Sequence, residues 1–144
     1  MYSLAGKGPL QRYQCAIEAG VVQHDDAQLV AVQRLQDLFD ELVKPARKPG
    51  FLAHWFKTSW PVKTPAGLYF WGGVGRGKTY LMDLFYESLP FPDKSRTHFH
   101  RFMRSVHLQL KELQGRTNPL QLVADEFSSR YRILCFDEFF VSDI

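Results

Sequence analysis

The residues best suited to chemistry lie in one glycine-rich stretch. Residues 72–79 read Gly-Gly-Val-Gly-Arg-Gly-Lys-Thr and match every fixed position of the phosphate-binding pattern G-x-x-x-x-G-K-S/T. Glycines let the backbone turn tightly and direct several NH groups at one polyphosphate, and a following helix adds the positive end of its dipole. The motif therefore predicts a nucleoside triphosphate site formed by Gly72, Gly73, Val74, Gly75, Arg76, Gly77, Lys78 and Thr79.

Two of these residues have specific roles in the prediction. The Lys78 ammonium would contact the β- and γ-phosphates as a point charge, and the Thr79 hydroxyl would be a ligand of Mg²⁺. The apolar run 68–71 before the loop is predicted to be a strand. An ordinary strand-to-helix turn is the alternative interpretation of the loop, and the full motif match after this strand argues against it. Arg76 is assigned no catalytic role, because an arginine at that point can simply face solvent.

A second candidate site follows the apolar run 133–136, Ile-Leu-Cys-Phe. Such a run predicts a buried parallel strand, and open α/β sheets bind ligands at the carboxyl ends of their strands. Asp137 is therefore predicted to hold Mg²⁺, and Glu138 to polarise the water that attacks the γ-phosphate. An ordinary exposed glutamate is the alternative for Glu138. Because Asp137 is followed by Glu-Phe-Phe and the chain has no Asn-Lys-x-Asp motif, analogy favours ATP over GTP.

The histidines and cysteines predict no transition-metal centre. Residues 97–102 are predicted as a strand with His98 and His100 on one face, but no third ligand has suitable spacing. Cys15 and Cys135 lack paired spacing, and a reduced core thiol is expected for Cys135.

Helices must position the two candidate sites. The apolar spacing predicts a first helix that ends at Gly20 and a second helix that begins with Asp25 or Asp26 as its N-cap and ends before Pro45. A third helix carries Lys78 and Thr79 and ends at Pro90. The predicted buried positions are Leu10, Tyr13 and Ile17; Ala31, Leu35, Leu38, Phe39 and Leu42; and Leu81, Leu84 and Phe85.

Two more helices are predicted before the second apolar run. One carries Met103, Val106, Leu110 and Leu113 and closes at Gly115; the other is capped by Asn118-Pro119, with Leu120, Val123 and Phe127 inward. Arg101, Arg104, Lys111 and Arg116 are expected to be surface charges. The alternation of strands and helices predicts an α/β P-loop NTPase fold, a parallel sheet with flanking helices, preceded by a short helical N-terminal segment.

The predicted divisions are residues 1–43, a helical segment; 44–65, a basic and Pro-rich linker; and 66–144, a P-loop ATPase core. The linker carries five basic residues and no acid. Its interleaved aromatic residues could contact anionic lipid or single-stranded nucleic acid, but a solvated linker that docks on the core is the favoured interpretation. Nothing near Met1 is typical of a signal peptide, and no apolar run approaches the roughly 20 residues of a membrane span. We expect a cytoplasmic bacterial protein.

Motifs along most of the chain resemble the ZapE cell-division ATPases. The resemblance is carried by residues 67–79, 81–86, 98–103 and 135–144, and by Tyr13, Gly20, Asp25, Asp26, Gln28 and Leu35 in the N-terminal part. It implies an AAA+-like fold, hydrolysis of Mg²⁺-ATP, action on the division-ring protein FtsZ, and a peripheral position at the inner membrane or division site. It also implies a homo-oligomer for the complete protein, since AAA+-like active sites usually lie between subunits.

The same resemblance leads us to expect an incomplete core. Family members continue beyond Ile144 through a further strand with a polar sensor residue and an arginine finger, so the C-terminal part of the domain is expected to be missing. The leading hypothesis is ATP hydrolysis coupled to conformational work on a protein partner. The alternatives are a nucleic-acid-associated ATPase such as a helicase loader, although nucleic acid is the less favoured partner, and a nucleotide-binding fragment that does not hydrolyse ATP.

Overall fold

Five helices and two strands make up the part of the chain that the computed structural model describes, residues 6–44, 65–73 and 77–139. The elements are α1 (Pro9–Glu18), α2 (Asp26–Val43), α3 (Lys78–Ser88), β1 (Lys94–His98), α4 (Phe99–Glu112), α5 (Pro119–Arg130) and β2 (Ile133–Asp137). They belong to two compact units, Met1–Pro90 with α1 to α3, and Phe91–Ile144 with the remaining elements. All five helices predicted from the sequence are present.

Local chemistry fixes the ends of α1 and α2. Pro9 stands in the first turn of α1, where a missing NH costs nothing, and the chain leaves this helix through Gly20 at φ +69°. The Asp25 carboxylate accepts hydrogen bonds from the backbone NH groups of Ala27, at 2.8 Å, and Gln28, at 3.0 Å. Asp25 is therefore the N-cap of α2, and the prediction of a helix start at this point is confirmed.

The three helices of the first unit share one apolar core. α1 packs against α2 and α3, and α2 also contacts α3. Leu81, Leu84 and Phe85 of α3 are only 4%, 8% and 2% exposed, as their spacing predicts. The other buried residues of this core are Tyr13, Val32, Leu35, Leu42 and Leu89. Burial of one face of α3 sets the orientation of the helix that begins at Lys78.

The second unit contains a small parallel sheet. β1 and β2 are hydrogen-bonded neighbours, with Lys94 opposite Ile133 and His98 opposite Asp137. α4 and α5 form the connection that parallel strands require. The strand predicted over residues 133–136 is confirmed as β2, and the parallel sheet with helices is the α/β arrangement that the sequence predicts.

Aromatic packing holds the helices of this unit against β2. The Phe102 ring lies 4.7 Å from the Phe136 ring and 5.0 Å from the Phe127 ring, measured between centroids. Val106 of α4 and Val123 of α5 are 8% and 2% exposed. These contacts join α4, α5 and β2 and so fix the end of β2, where Asp137 stands.

The strand predicted over residues 97–102 is misplaced. β1 runs from Lys94 to His98, and α4 begins at Phe99. Phe99, Phe102 and Val106 recur at helical spacing, so the apparent alternation at residues 98–102 is the first turn of an amphipathic helix. His98 and His100 therefore do not share a strand face, although their rings stack with centroids 5.7 Å apart. Across the described residues, no group of three or more potential ligands could hold a metal ion.

The strand expected in the apolar run 68–71, before the glycine-rich loop, is absent. Residues 65–73 form neither helix nor strand, and Leu68, Tyr69 and Trp71 are 40%, 65% and 84% exposed. A strand needs a hydrogen-bonded neighbour, and among the described residues β1 and β2 pair only with each other. Apolar composition alone therefore does not make this run a strand.

One side chain predicted to be inward is exposed. Leu120 of α5 is 63% exposed, whereas Val123 on the same helix is buried. Leu120 lines an open cavity of about 610 Å³ together with Phe102, Val106 and Val123. Its side chain faces this cavity and therefore remains exposed. The prediction that Leu120 is buried is wrong in this structure.

Some of the predicted features lie outside the described ranges. These are Val74, Gly75 and Arg76 of the loop, residues 45–64 of the basic linker, and residues 140–144. No helix within the described ranges is long and apolar enough to cross a membrane.

Candidate functional site

The glycine-rich loop leads directly into the start of α3. Gly77 adopts the left-handed conformation, with φ +76° and ψ +18°, and is the N-cap of this helix. Lys78 and Thr79 are the first two residues of α3, and the N-cap Gly77 has no side chain that could cap the helix. The first turn of a helix has NH groups without helical acceptors, and here they follow immediately after the loop.

The Lys78 side chain folds back over the loop. Its ammonium donates hydrogen bonds to the carbonyl oxygens of Gly72 and Gly73, at 2.7 Å each. The ammonium therefore lies over the loop backbone that leads into the start of α3. A β-carbon on Gly72 or Gly73 would meet no atom of the described residues within 4 Å, so the described part of the loop is open at these positions. Positive charge and NH groups of a first helical turn beside open space suit a polyphosphate.

A residue of α2 also contacts the loop. The side-chain amide nitrogen of Gln28 lies 2.8 Å from the position that a β-carbon on Gly77 would occupy. The N-cap Asp25 holds the first turn of α2, and with it Gln28, in this place. From the sequence, Gln28 stands out only through the family resemblance, and its contact with the loop is not predicted, because helical spacing does not show which residue of another helix a side chain meets.

The second candidate site lies at the end of β2. The Asp137 carboxylate is bound by Arg96 of β1 through two contacts, Nε to Oδ2 at 2.8 Å and a terminal guanidinium nitrogen to Oδ1 at 3.2 Å. Both side chains are 22% exposed. Arg96 is not among the site residues predicted from the sequence, because a strand predicted to begin at residue 97 excludes it from β1.

Glu138, the residue after β2, has a strained backbone. Its φ of +51° is unusual for a residue with a β-carbon, and such conformations concentrate at functional sites. Its side chain is 71% exposed, and one carboxylate oxygen lies 3.9 Å from Nδ1 of His98, an ion pair only when His98 is protonated. β1 thus provides a basic side chain beside each of the two candidate carboxylates.

The thiol of Cys135 is buried near the charges of Arg96 and Asp137. Burial raises the pKa of the Cys135 thiol to about 11, while the nearby Arg96 charge lowers it and the Asp137 charge raises it. Cys135 and Cys15 are both free cysteines. The expectation of a reduced core thiol at Cys135 agrees with this environment.

The donor chemistry of the two candidate sites fits a nucleotide with Mg²⁺. Hydroxyl and carboxylate oxygens, as on Thr79 and Asp137, are the hard ligands that Mg²⁺ prefers, and an open glycine loop with an ammonium group suits phosphates. Thr79 is exposed at the start of α3 in the first unit, and Asp137 ends β2 in the second.

Comparison with known proteins identifies the family. The family model described as AFG1-like ATPase matches residues 7–144. The cell division protein ZapE of Escherichia coli is 52% identical over 145 residues, which cover 94% of this chain and 39% of that protein. An uncharacterized protein of Schizosaccharomyces pombe is 32% identical over 169 residues, covering 94% of this chain and 37% of its own length.

A third relative matches a shorter part. Lactation elevated protein 1 homolog B of Danio rerio is 41% identical over 91 residues, covering 56% of this chain and 18% of that protein. The chain thus spans about two fifths of the length of the first two relatives. No solved structure matches it. The match to the family model over nearly the whole sequence shows that the chain belongs to the AFG1-like ATPase family.

Proposed function

We propose that this chain forms the nucleotide-binding part of an AAA+-like ATPase that binds and hydrolyses Mg²⁺-ATP. The observation that carries the proposal is the placement of Lys78 at the start of α3, with its ammonium over the loop backbone of Gly72 and Gly73. Positive charge, the NH groups of the first turn of α3 and a glycine-rich loop meet at one point, which is the chemistry a triphosphate requires. Membership of the AFG1-like ATPase family supports ATP as the nucleotide.

The proposed binding residues are those of the loop, residues 72–79. On nucleotide binding, the Lys78 ammonium exchanges its carbonyl acceptors for phosphate oxygens, which are stronger acceptors because they are charged. Thr79 and Asp137 are the proposed ligands of Mg²⁺, whose charge offsets that of the phosphates. Glu138 is the proposed general base for the attacking water, and its exposed carboxylate is accessible to solvent. The predicted divisions 1–43, 44–65 and 66–144 are part of this proposal.

Phosphate release from Mg²⁺-ATP by the purified chain tests the catalytic part. Any turnover by this chain should be abolished by Lys78→Ala, because the mutation removes the charge beside the phosphates. The matched control is Lys111→Ala, which removes an exposed lysine of α4 from outside the site and should leave turnover unchanged. Turnover by the parent chain that persists in Lys78→Ala would refute the proposal.

The role of Glu138 has its own test. Glu138→Gln keeps the size of the side chain and removes its basicity, so nucleotide binding should persist while hydrolysis falls by roughly 10²-fold or more. Saturable ATP binding without phosphate release by the parent chain would instead favour the alternative of a nucleotide-binding fragment. Hydrolysis at the parent rate by Glu138→Gln would exclude Glu138 as the base.

The cellular role proposed is in cell division, as the name of the Escherichia coli relative indicates. The division-ring protein FtsZ is the proposed protein partner, and the cytoplasmic face of the division site the proposed location. Nucleotide-dependent co-sedimentation with FtsZ polymers tests this, with Lys78→Ala as the control. Sedimentation that is the same with and without Mg²⁺-ATP would count against an ATP-driven action on FtsZ. A homo-oligomer is proposed for the complete protein.

A further inference from the structure

The guanidinium of Arg96 already binds the carboxylate that the proposed function assigns to Mg²⁺. Two nitrogens of Arg96 contact the two oxygens of Asp137, at 2.8 and 3.2 Å. Bidentate pairs of this kind combine charge with a fixed geometry and are among the stronger hydrogen-bonded contacts in proteins. Both carboxylate oxygens of Asp137 therefore have a cationic partner.

The strand register explains why Arg96 reaches Asp137. Arg96 stands directly opposite Cys135 in the parallel ladder, and His98 stands opposite Asp137. Side chains two residues apart project from the same face of a strand, so Asp137 is the diagonal neighbour of Arg96 on that face. The long arginine side chain spans this diagonal. Both side chains are 22% exposed, so water has limited access to the pair.

Arg96 and a divalent cation would compete for the Asp137 carboxylate. Each carboxylate oxygen can accept more than one contact, so the two partners can share Asp137, but each cation is repelled by the positive charge of the other. A metal ion bound to Asp137 would therefore weaken the contact with Arg96, and Arg96 in turn would weaken metal binding.

We propose that the Arg96 guanidinium competes with Mg²⁺ for the Asp137 carboxylate, and that the pair loosens when Mg²⁺ binds with nucleotide. This inference rests on the proposed function and names a residue that controls its metal site. Arg96 lowers the affinity of Asp137 for Mg²⁺ alone, so metal binding depends on the nucleotide, whose phosphates supply further ligands to the metal.

The test is the Mg²⁺ concentration that gives half-maximal binding of a fluorescent ATP analogue at fixed concentration. Arg96→Met keeps much of the side-chain length and removes the charge, so we expect the Mg²⁺ midpoint to fall by about fivefold or more. Arg96→Lys keeps a positive charge without the bidentate geometry, so its midpoint should fall between those of the parent and Arg96→Met.

Arg132→Met is the matched control. It removes an arginine from another ion pair of the same unit, where Arg132 Nε lies 3.2 Å from Asp93 Oδ2. A general effect of lost charge or lost stability would change the Mg²⁺ midpoint of Arg132→Met as well as those of the Arg96 variants. Competition for Asp137 would change only the midpoints of the Arg96 variants. Asp137→Asn should remove the effect of Arg96→Met, because the contested carboxylate is gone.

A mutation-free measurement covers the case in which the Arg96 variants do not fold. In the parent chain, the NMR signal of the Arg96 Nε–H group should shift when Mg²⁺ is added to the ATP-bound protein, and should not shift with Mg²⁺ alone. An unchanged signal, or an unchanged or raised Mg²⁺ midpoint in Arg96→Met, would overturn the inference. Nucleotide binding that depends on Lys78 would leave the proposed function standing in that event, whereas absence of any nucleotide binding would refute both.

Discussion

The Gln28 side chain lies against Gly77, with its amide nitrogen 2.8 Å from the place where a β-carbon on that glycine would stand. The contact joins α2 to the loop residue that precedes Lys78. Gly77 also has φ +76°, a conformation that glycine adopts without cost. The loop is thus constrained by its own backbone and by a helix that is distant in the sequence.

Gly77→Ala should destabilise the first unit and weaken nucleotide binding. A β-carbon in the left-handed region costs about 1–2 kcal/mol, and the Gln28 amide must move aside as well. Urea unfolding measures the stability change. Gly67→Ala is the control, because Gly67 lies outside residues 72–79 and a β-carbon there meets no atom of the described residues within 4 Å. Equal loss of stability in the two variants would show that the conformation of Gly77 is not the cause.

Removal of the α2 cap should loosen the helix that carries Gln28. Asp25→Ala deletes the acceptor for the NH groups of Ala27 and Gln28, and loss of such a cap typically costs about 1 kcal/mol. The neighbouring Asp26→Ala is the control, since Asp26 is 96% exposed and does not cap the helix. Chemical denaturation of both variants gives the comparison. A loss as large in Asp26→Ala as in Asp25→Ala would contradict the assigned cap.

The raised pKa of Cys135 predicts a loss of stability at alkaline pH. In the unfolded chain this thiol ionises near its ordinary pKa of 9.0, whereas in the folded chain its pKa is about 11. The unfolded state therefore releases the proton first, and the stabilisation is complete below pH 9 and is lost as the pH rises toward 11. Two pKa units correspond to a difference of at most about 2.7 kcal/mol.

The measurement is the urea midpoint of the parent chain and of two variants at neutral and alkaline pH. Cys135→Ala lacks the thiol, so it should lose less stability between pH 9 and 11 than the parent. Cys15→Ala should behave as the parent does, because it keeps Cys135. If Cys135→Ala and the parent showed the same alkaline loss, the assigned pKa would be wrong.

The sequence predicts those parts of the fold that depend on local chemistry. The spacing of Leu81, Leu84 and Phe85 identifies the buried face of α3, and Asp25 marks the start of α2, because helix periodicity and capping act within a few residues. The continuous apolar run 133–136 identifies β2. These signals place Lys78, Thr79 and Asp137 at the ends of their elements.

The parts that sequence analysis misses depend on contacts between distant residues. The run 68–71 is as apolar as β2, yet it forms no strand, because strand formation needs a neighbour that composition cannot show. β1 begins three residues earlier than predicted, and this shift brings Arg96 into the sheet. The contacts of Arg96 with Asp137 and of Gln28 with Gly77 follow from tertiary packing, which no local motif reports.

The most direct test of the central claim is calorimetric titration of Mg²⁺-ATP into the purified chain and into Lys78→Ala, with circular dichroism to show that both are folded. We predict saturable binding of one nucleotide per chain that is lost in Lys78→Ala and retained in Lys111→Ala. No binding by the folded parent chain, or binding that Lys78→Ala leaves unchanged, would contradict the assignment of residues 72–79 as a nucleotide site.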